Sequence, residues 1–252
     1  MTTVIRATGG KFINTALKNV SPLFRDGLVA AFRPNSTPNG LDDISVNGVT
    51  LTKKGNPVLL PDGVAGDYQN GYEVNVTETE SITMLAAVKL HKKPDGDYYA
   101  SLFLGNFKSG TGIPSVSLYV YGRPGGVLDF KASAMIKDAF LQTADVRVTP
   151  TSDYFYAAMK LDAATNAITL YVLNKGVRNT VVASSGTIAG RPLLASDNRK
   201  INILSTSTHG TFLPSNATIL EVLIYNRALS DDDVYKQYGF SKSYWQSRGI
   251  NF

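Results

Sequence analysis

The side chains that could do chemistry in this chain are few, and their spacing says more than their number. There is no cysteine, and the only histidines are His91 and His209. Thiolate nucleophiles, disulfides and thiolate metal sites are excluded, and a multi-histidine metal centre nearly so. The two histidines sit in Leu90-His91-Lys92-Lys93 and Thr208-His209-Gly210, at strand ends or in loops, and no Gly-x-Ser-x-Gly elbow accompanies them, so nucleophilic hydrolysis is not expected. The glutamates are Glu73, Glu78, Glu80 and Glu221. Glu78 and Glu80, two apart, could share one strand face as a general acid and base do. They precede a strand with no third acid in register, and a solvated approach to that strand is the simpler reading. Glu221 lies inside an apolar run, where a carboxylate needs partners; an ion pair is expected there.

Binding chemistry is better represented. Saccharides are recognised by flat aromatic faces together with amide or carboxylate groups on loops held by a rigid scaffold. Asp97, Tyr98 and Tyr99 in Asp95-Gly96-Asp97-Tyr98-Tyr99, and Asn106 and Phe107 in Asn106-Phe107-Lys108, have that composition and are the candidate glycan-binding residues. The glycines around Gly110 and Gly122 precede strands, not helices, and read as turn residues, not as a phosphate loop.

A hydrophobic content of 43% over 252 residues suffices for one large core. The formal charge of +5 and the isoelectric point near 9.2 suggest an acidic polymer as partner until the charge is located. Arg6, Lys11, Lys18 and Arg25 stand in residues 1–25 and Lys242 and Arg248 in 240–252, both without an acid; the body between holds 19 basic and 20 acidic residues. A near-neutral body with positive ends points away from nucleic acid and toward a protein surface. No window reaches the roughly 18 apolar residues of a membrane span, and the first residues lack the apolar run of a signal peptide. Synthesis in a cytoplasm without signal-peptide secretion or membrane insertion is expected.

From Gly27 onward, short runs rich in Val, Ile, Tyr and Phe alternate with Gly, Pro and Asn-Gly punctuation. Ten or more such runs without long helices between them predict two antiparallel sheets face to face. The runs 154–161 and 167–173 predict a hairpin, with Ile168, Leu170 and Val172 on the core face and Thr169, Tyr171 and Leu173 on a partly exposed one. Phe12, Ile13, Ala16, Leu17 and Val20 form a helical stripe ended by Pro22. Ser230 and the carboxylates of Asp231, Asp232 and Asp233 predict a capped helix start, with Gly239 as its stop.

The stretch Ala217–Tyr238, with its Tyr225-Asn226-Arg227-Ala228-Leu229-Ser230 turn, resembles the C-terminal signature of concanavalin A-like lectin/glucanase domains of the laminin G-like type. Asp26–Phe32 with the following Leu41–Gly48 stretch, Ser81–Val88 and Thr169–Gly176 are similar to three further segments of that family, in the same order. The likeness covers about 26–239; the tryptophan of the family's inner strand is missing, and Lys175 interrupts its Asn-Gly pair.

The resemblance implies an all-β, two-sheet antiparallel jelly-roll sandwich, here with a short N-terminal arm helix and one short C-terminal helix. The expected domains are a basic amphipathic arm (1–25), the sandwich (26–239) and an aromatic tail (240–252). Calcium is the one cofactor the family suggests, on the loop oxygens of Asp42, Asp43 and Asn47. The Glu-x-Asp-x-x-Glu strand of the family's retaining glucanases, which sets two carboxylates about 5–5.5 Å apart, does not occur, so no enzyme is expected. Phe12, Ile13 and Leu17 in the arm and Tyr244, Trp245 and Phe252 in the tail are the expected subunit anchors. The resulting expectation is a non-enzymatic virion component of a tailed bacteriophage, a capsid decoration, baseplate or fibre protein made in the host cytoplasm. It would be docked to other virion subunits through its termini and homo-oligomeric. The alternative is a lectin module for cell-surface glycans, and a glycoside hydrolase ranks last.

Overall fold

The computed structural model describes residues 22–37, 40–106, 115–136, 140–175, 177–183, 188, 200–204 and 216–252. The arm stripe, with Phe12, Ile13 and Leu17, and also Phe107 and His209, lie outside the described residues. In chain order the strands are β1 (Leu28–Phe32), β2 (Leu51–Lys54), β3 (Val58–Leu60), β4 (Gly63–Gly66), β5 (Gly71–Val74), β6 (Ile82–Leu90), β7 (Ser101–Gly105), β8 (Ser115–Arg123), β9 (Val127–Ile136), β10 (Phe140–Val148), β11 (Tyr154–Asp162), β12 (Ala167–Asn174), β13 (Val177–Ala183), β14 (Ile201–Ile203) and β15 (Ala217–Tyr225), followed by helix α1 (Asp231–Gln246). One sheet runs β13-β12-β11-β6-β15-β4-β3, with β1 also paired to β15; the other runs β10-β9-β8-β7-β14-β5-β2. The ladders between these strands are antiparallel. The chain is an all-β two-sheet sandwich with one C-terminal helix among the described residues.

Strand alternation builds the space between the sheets. Ile82, Met84, Ala86, Val88 and Leu90 of β6 face Val116, Leu118 and Val120 of β8 and Leu128, Phe130 and Ala132 of β9 in one buried cluster. The opposite face of β6 carries Leu85 and Ala87, and these are equally buried. They join Tyr156, Tyr171, Leu173, Leu223 and Tyr225 beneath α1 and the chain's last residues. The first sheet is therefore covered on both sides, which explains its near-continuous apolar runs. The outer face of the second sheet mixes polar and apolar residues: Ser117 and Ser133, opposite one another on β8 and β9, are buried there beside Leu102 and Tyr119.

Two expectations are corrected here. The outer face of β12 is not partly exposed: Thr169, Tyr171 and Leu173 are buried because α1 lies over them. The helix does not stop at Gly239 but continues to Gln246. Its buried stripe of Val234, Gln237, Tyr238, Ser241, Tyr244 and Trp245 keeps helical spacing across that glycine. Packing of this face outweighs the roughly 1 kcal/mol a mid-helix glycine costs. The stop is the other glycine: Gly249 takes φ +79, its N–H donates to the Gln246 carbonyl and the Ile250 N–H donates to that of Trp245. This is a Schellman closure with buried Ile250 as its apolar clasp.

The boundary expected at 239/240 thus falls inside a continuous helix. Tyr244, Trp245 and Phe252, expected to anchor a neighbouring subunit, are spent within their own chain, at 8%, 1% and 1% exposure. The physical reason is the aromatic outer face of the first sheet, which would otherwise meet water; Phe252 packs on Tyr156 and Tyr238. At the other end of α1, the Ser230 hydroxyl accepts the Asp233 N–H at 3.1 Å, and Asp231 is pinned by the Tyr171 hydroxyl and by Lys160. The Lys160 ammonium, then the Tyr171 hydroxyl, hold the Asp231 carboxyl below its ordinary range.

Candidate glycan-binding rim

Three connections cross from one sheet to the other at the same rim of the sandwich: 67–70 between β4 and β5, 91–100 between β6 and β7, and 149–153 between β10 and β11. The candidates Asp97, Tyr98 and Tyr99 lie on the second of these, and the structure separates their roles. Tyr98 turns inward, 3% exposed, and its hydroxyl donates to Asp153 Oδ1 at 2.7 Å. Burial, then this carboxylate, pushes its phenol well above the ordinary range. Its carbonyl crosses β8 at Gly122, where a Cβ would stand 1.8 Å away; only glycine admits the crossing. Asp97 Oδ1 accepts the Gly126 N–H at 3.0 Å and so braces the β8–β9 turn. Tyr99 remains half-buried at the surface, fixed by its N–H to the His91 carbonyl at 3.0 Å.

Tyr99 lines a cleft of about 320 Å³ together with Tyr68, Asn56, Asn70 and Asn216. Asn70 builds it: its Oδ1 accepts the Asn56 N–H at 2.6 Å, and its Nδ2 donates to both oxygens of Asp67 at 2.8 Å. A Cβ on Gly66 would lie 2.1 Å from the Asn70 carbonyl oxygen, so the 67–70 turn closes only over glycine. Asn216 is hydrogen-bonded to His91, whose Nε2 stands 2.9 Å from Thr218 Oγ1. Burial, then the Lys89 charge, lowers the His91 pKa below 6.5 and keeps the ring neutral at pH 7. Two phenol rings beside fixed amides suit the apolar face and the hydroxyls of a sugar. A second cleft on the same rim, about 620 Å³, is bordered by Ser152, Tyr154, Lys175, Lys242 and Gln246. Asn174 holds its wall, accepting from the Thr151 N–H and hydroxyl and donating to the carbonyls of Ser152 and Tyr154.

The other candidates lie elsewhere. Asn106 is at the far end of β7, 1% exposed, with its Oδ1 accepting the Val116 N–H at 2.8 Å; it is a strand-end residue and not a partner of Tyr99. The calcium reading does not fit its residues. Asp43 Oδ1 accepts from the Ala31 and Ser45 N–H groups and Oδ2 from the Ser45 hydroxyl and Val49 N–H, while Asn47 Nδ2 donates to the Leu28 and Val29 carbonyls. Donor hydrogens thus surround the carboxylate where a cation would need bare oxygens. Among the described residues no three His, Cys, Asp or Glu side chains gather as a metal site. Glu221 has the ion pair expected of it, with Arg33, and accepts in addition from Ser241 and Trp245.

Sequence reasoning passed over Tyr68, Asn70 and Asn216. The signal was present in Gly66-Asp67-Tyr68-Gln69-Asn70-Gly71, which repeats the acid, aromatic and glycine texture of 95–99. What links them is that both loops cross the same rim, which no local pattern encodes.

No family model and no curated protein sequence matches this chain. Its fold is similar to solved structures at low identity. The receptor-binding domain of botulinum neurotoxin C/D mosaic serotype has a TM-score of 0.60 at 11% identity, over 86% of this chain and 52% of that one. The binding domain of botulinum neurotoxin DC in complex with SialylT gives 0.59 at 13%, over 85% and 52%. Trypanosoma rangeli sialidase in complex with 2,3-difluorosialic acid gives 0.55 at 16%, over 82% and 32%. The chain thus spans about half the length of the neurotoxin domains and a third of the sialidase, and what it shares with them is the β-sandwich fold.

Proposed function

We propose that this chain is a non-catalytic glycan-binding module whose site is the cleft between Tyr68 and Tyr99. The observation that carries the reading is the convergence of two tyrosine rings with the amides of Asn56, Asn70 and Asn216 at a braced rim. The SialylT-bound neurotoxin domain among its structural neighbours supports it by analogy of fold. Binding is favoured over turnover because the one carboxylate lining the cleft among the described residues, Asp67, has its oxygens occupied by Gln69 and Asn70 donors. An array of bacterial and animal surface oligosaccharides, probed with the chain and with its Tyr99→Ala variant, tests the proposal. Binding that the substitution abolishes supports it; a blank array, or binding indifferent to Tyr99, removes it.

A second reading keeps the protein as a structural or adhesion subunit of a tailed-bacteriophage virion. Its support is the unbalanced charge of residues 1–25 beside the Phe12, Ile13 and Leu17 stripe, since the C-terminal aromatics are occupied within the chain. Mass in solution with and without residues 1–21 tests it, and an unchanged monomer in both removes docking through the arm.

A further inference from the structure

The outer face of the second sheet carries a group of charges, at the β8–β9 turn end, that the cleft does not use. Register places Tyr121 of β8 opposite Asp129 of β9, and Asp129 opposite Arg147 of β10. Arg123, at the end of β8, completes the group. Arg123 Nε donates to Asp129 Oδ2 at 2.7 Å, and Arg147 Nε donates to Oδ1 at 2.8 Å. One carboxylate, 8% exposed although it points away from the sandwich core, therefore holds two guanidiniums by their inner edges. The Arg147 hydrogen bond, then burial opposing it and the Arg123 hydrogen bond, leave Asp129 with a lowered pKa.

The outer edges of the two guanidiniums are the consequence. Each has five N–H donors in a planar fork, and Asp129 engages Nε of both and one further nitrogen of Arg147, at 3.5 Å. The remaining donors face solvent on side chains 51% and 71% exposed. Arg123 also lies over the Tyr121 ring at 5.9 Å, and Tyr121 meets Tyr119 edge-on at 5.5 Å. The next row, Lys131 with Asp145, balances itself at 4.0 Å. Two preset forks that share the Asp129 carboxylate, with Asp145 of the next row also acting on Arg147, match a planar or tetrahedral oxyanion, and the adjacent phenol rings match a sugar ring that bears it.

We propose that Arg123 and Arg147, set by Asp129 and flanked by Tyr121, form a second subsite that binds the anionic group, carboxylate or sulfate, of an acidic saccharide. The inference takes the nature of its ligand from the glycan-binding reading, but its site is separate from the Tyr99 cleft.

The test is a titration of the labelled full chain with 3′-sialyllactose, 3′-sulfolactose and lactose, following the Nε–Hε signals of Arg123 and Arg147. The expected result is a saturable shift with one or both acidic sugars and none with lactose; the arm that responds identifies carboxylate or sulfate. In the Arg123→Gln/Arg147→Gln variant, affinity for the responding sugar should fall at least tenfold. Three results would each overturn the subsite: silence toward both acidic sugars, an equal shift with lactose, or an equal shift with sodium acetate or sulfate alone. A thermal melt of the variant matching the parent ensures that a loss is not unfolding. Tyr99→Ala separates the two readings, because it should leave the arginine response intact. If the arginines respond while the oligosaccharide array is indifferent to Tyr99, only the cleft reading fails.

Discussion

Arg33 Nη2 donates to Glu221 Oε1 at 3.1 Å with both side chains sealed from water beneath α1. The Ser241 hydroxyl donates to the same oxygen at 2.8 Å, and the Trp245 indole N–H donates to Oε2 at 3.1 Å. The Arg33 guanidinium lies 4.5 Å from the Tyr244 ring centroid. The residue after β1, the middle of β15 and two turns of α1 are thereby joined through one carboxylate. Such a pair adds little stability over a well-packed apolar substitute, but it fixes where the helix sits.

Removing one partner is costly for the same reason. Glu221→Ala takes the Glu221 carboxylate from the buried Arg33 guanidinium and is expected to destabilise the fold by about 3–5 kcal/mol. Replacing both partners, Arg33→Met with Glu221→Leu, should recover most of that loss. Urea unfolding followed by circular dichroism checks both; a Glu221→Ala protein as stable as the parent would contradict the sealed pair.

Trp245→Ala opens a cavity between α1 and the first sheet and should cost about 3–5 kcal/mol, as for other buried large aromatics. An outward-facing subunit anchor would behave differently, losing assembly at unchanged melting temperature. Calorimetry beside light scattering distinguishes the two, and an unchanged melting temperature would restore the docking role.

Asp43 is expected to act as a brace and not as a metal ligand. Asp43→Ala strands the N–H groups of Ala31, Ser45 and Val49, each worth about 1–3 kcal/mol if left unsatisfied when buried. The melting temperature should fall in the variant and stay fixed in the parent on adding calcium or a chelator. A rise with calcium that Asp43→Ala abolishes would reinstate the metal site.

Tyr98 and Tyr99, one candidate pair in the sequence, should part under substitution. Tyr98→Phe removes the donor to Asp153 and should lower stability by about 1.5–3 kcal/mol, the range for a hydrogen bond to a charged group. Tyr99→Ala should leave the melt within about 0.5 kcal/mol, as surface changes do, and abolish binding of neutral oligosaccharides, which the Arg123/Arg147 subsite does not take. Melts and array binding on the two variants decide it; a stable Tyr98→Phe protein that loses binding would exchange their roles.

How far these roles were legible follows from the range of the signals. Period-two alternation placed Ile168, Leu170 and Val172 on the core face because strand geometry is local. The burial of Tyr171 and Leu173 depends on α1, some sixty residues further along the chain, and no pattern within β12 announces it. Ser230 and its acid triplet marked the helix start through cap chemistry within four residues. Its end was misread because Gly239 and Gly249 are alike in sequence, and the choice between them rests on what Ser241, Tyr244 and Trp245 pack against. Glu221 was legible as an ion-paired carboxylate, but not its partner Arg33, at a separation of 188 residues.

His91 supplies the pH test of the cleft. Burial lowers its folded pKa, while in the unfolded chain it titrates near 6.5. Above both values the ring is neutral in each state and contributes no slope. As pH falls through 6.5 the unfolded chain takes up the proton first, so stability declines until pH passes below the folded value. Depressed carboxyls such as Asp129 and Asp231 lose their contribution only at lower pH. Protonation also sets a charge on His91 beside Lys89 at the partly buried edge of the cleft, against the hydrogen bond to Asn216, which favours the charged ring. Glycan binding in the Tyr99 cleft should therefore weaken over the same window. Urea midpoints and array binding between pH 8 and 5 for the parent and His91→Gln measure it. The expected result is a slope in the parent that the variant lacks in both readouts. Parallel curves would mean that His91 carries no linkage to the cleft.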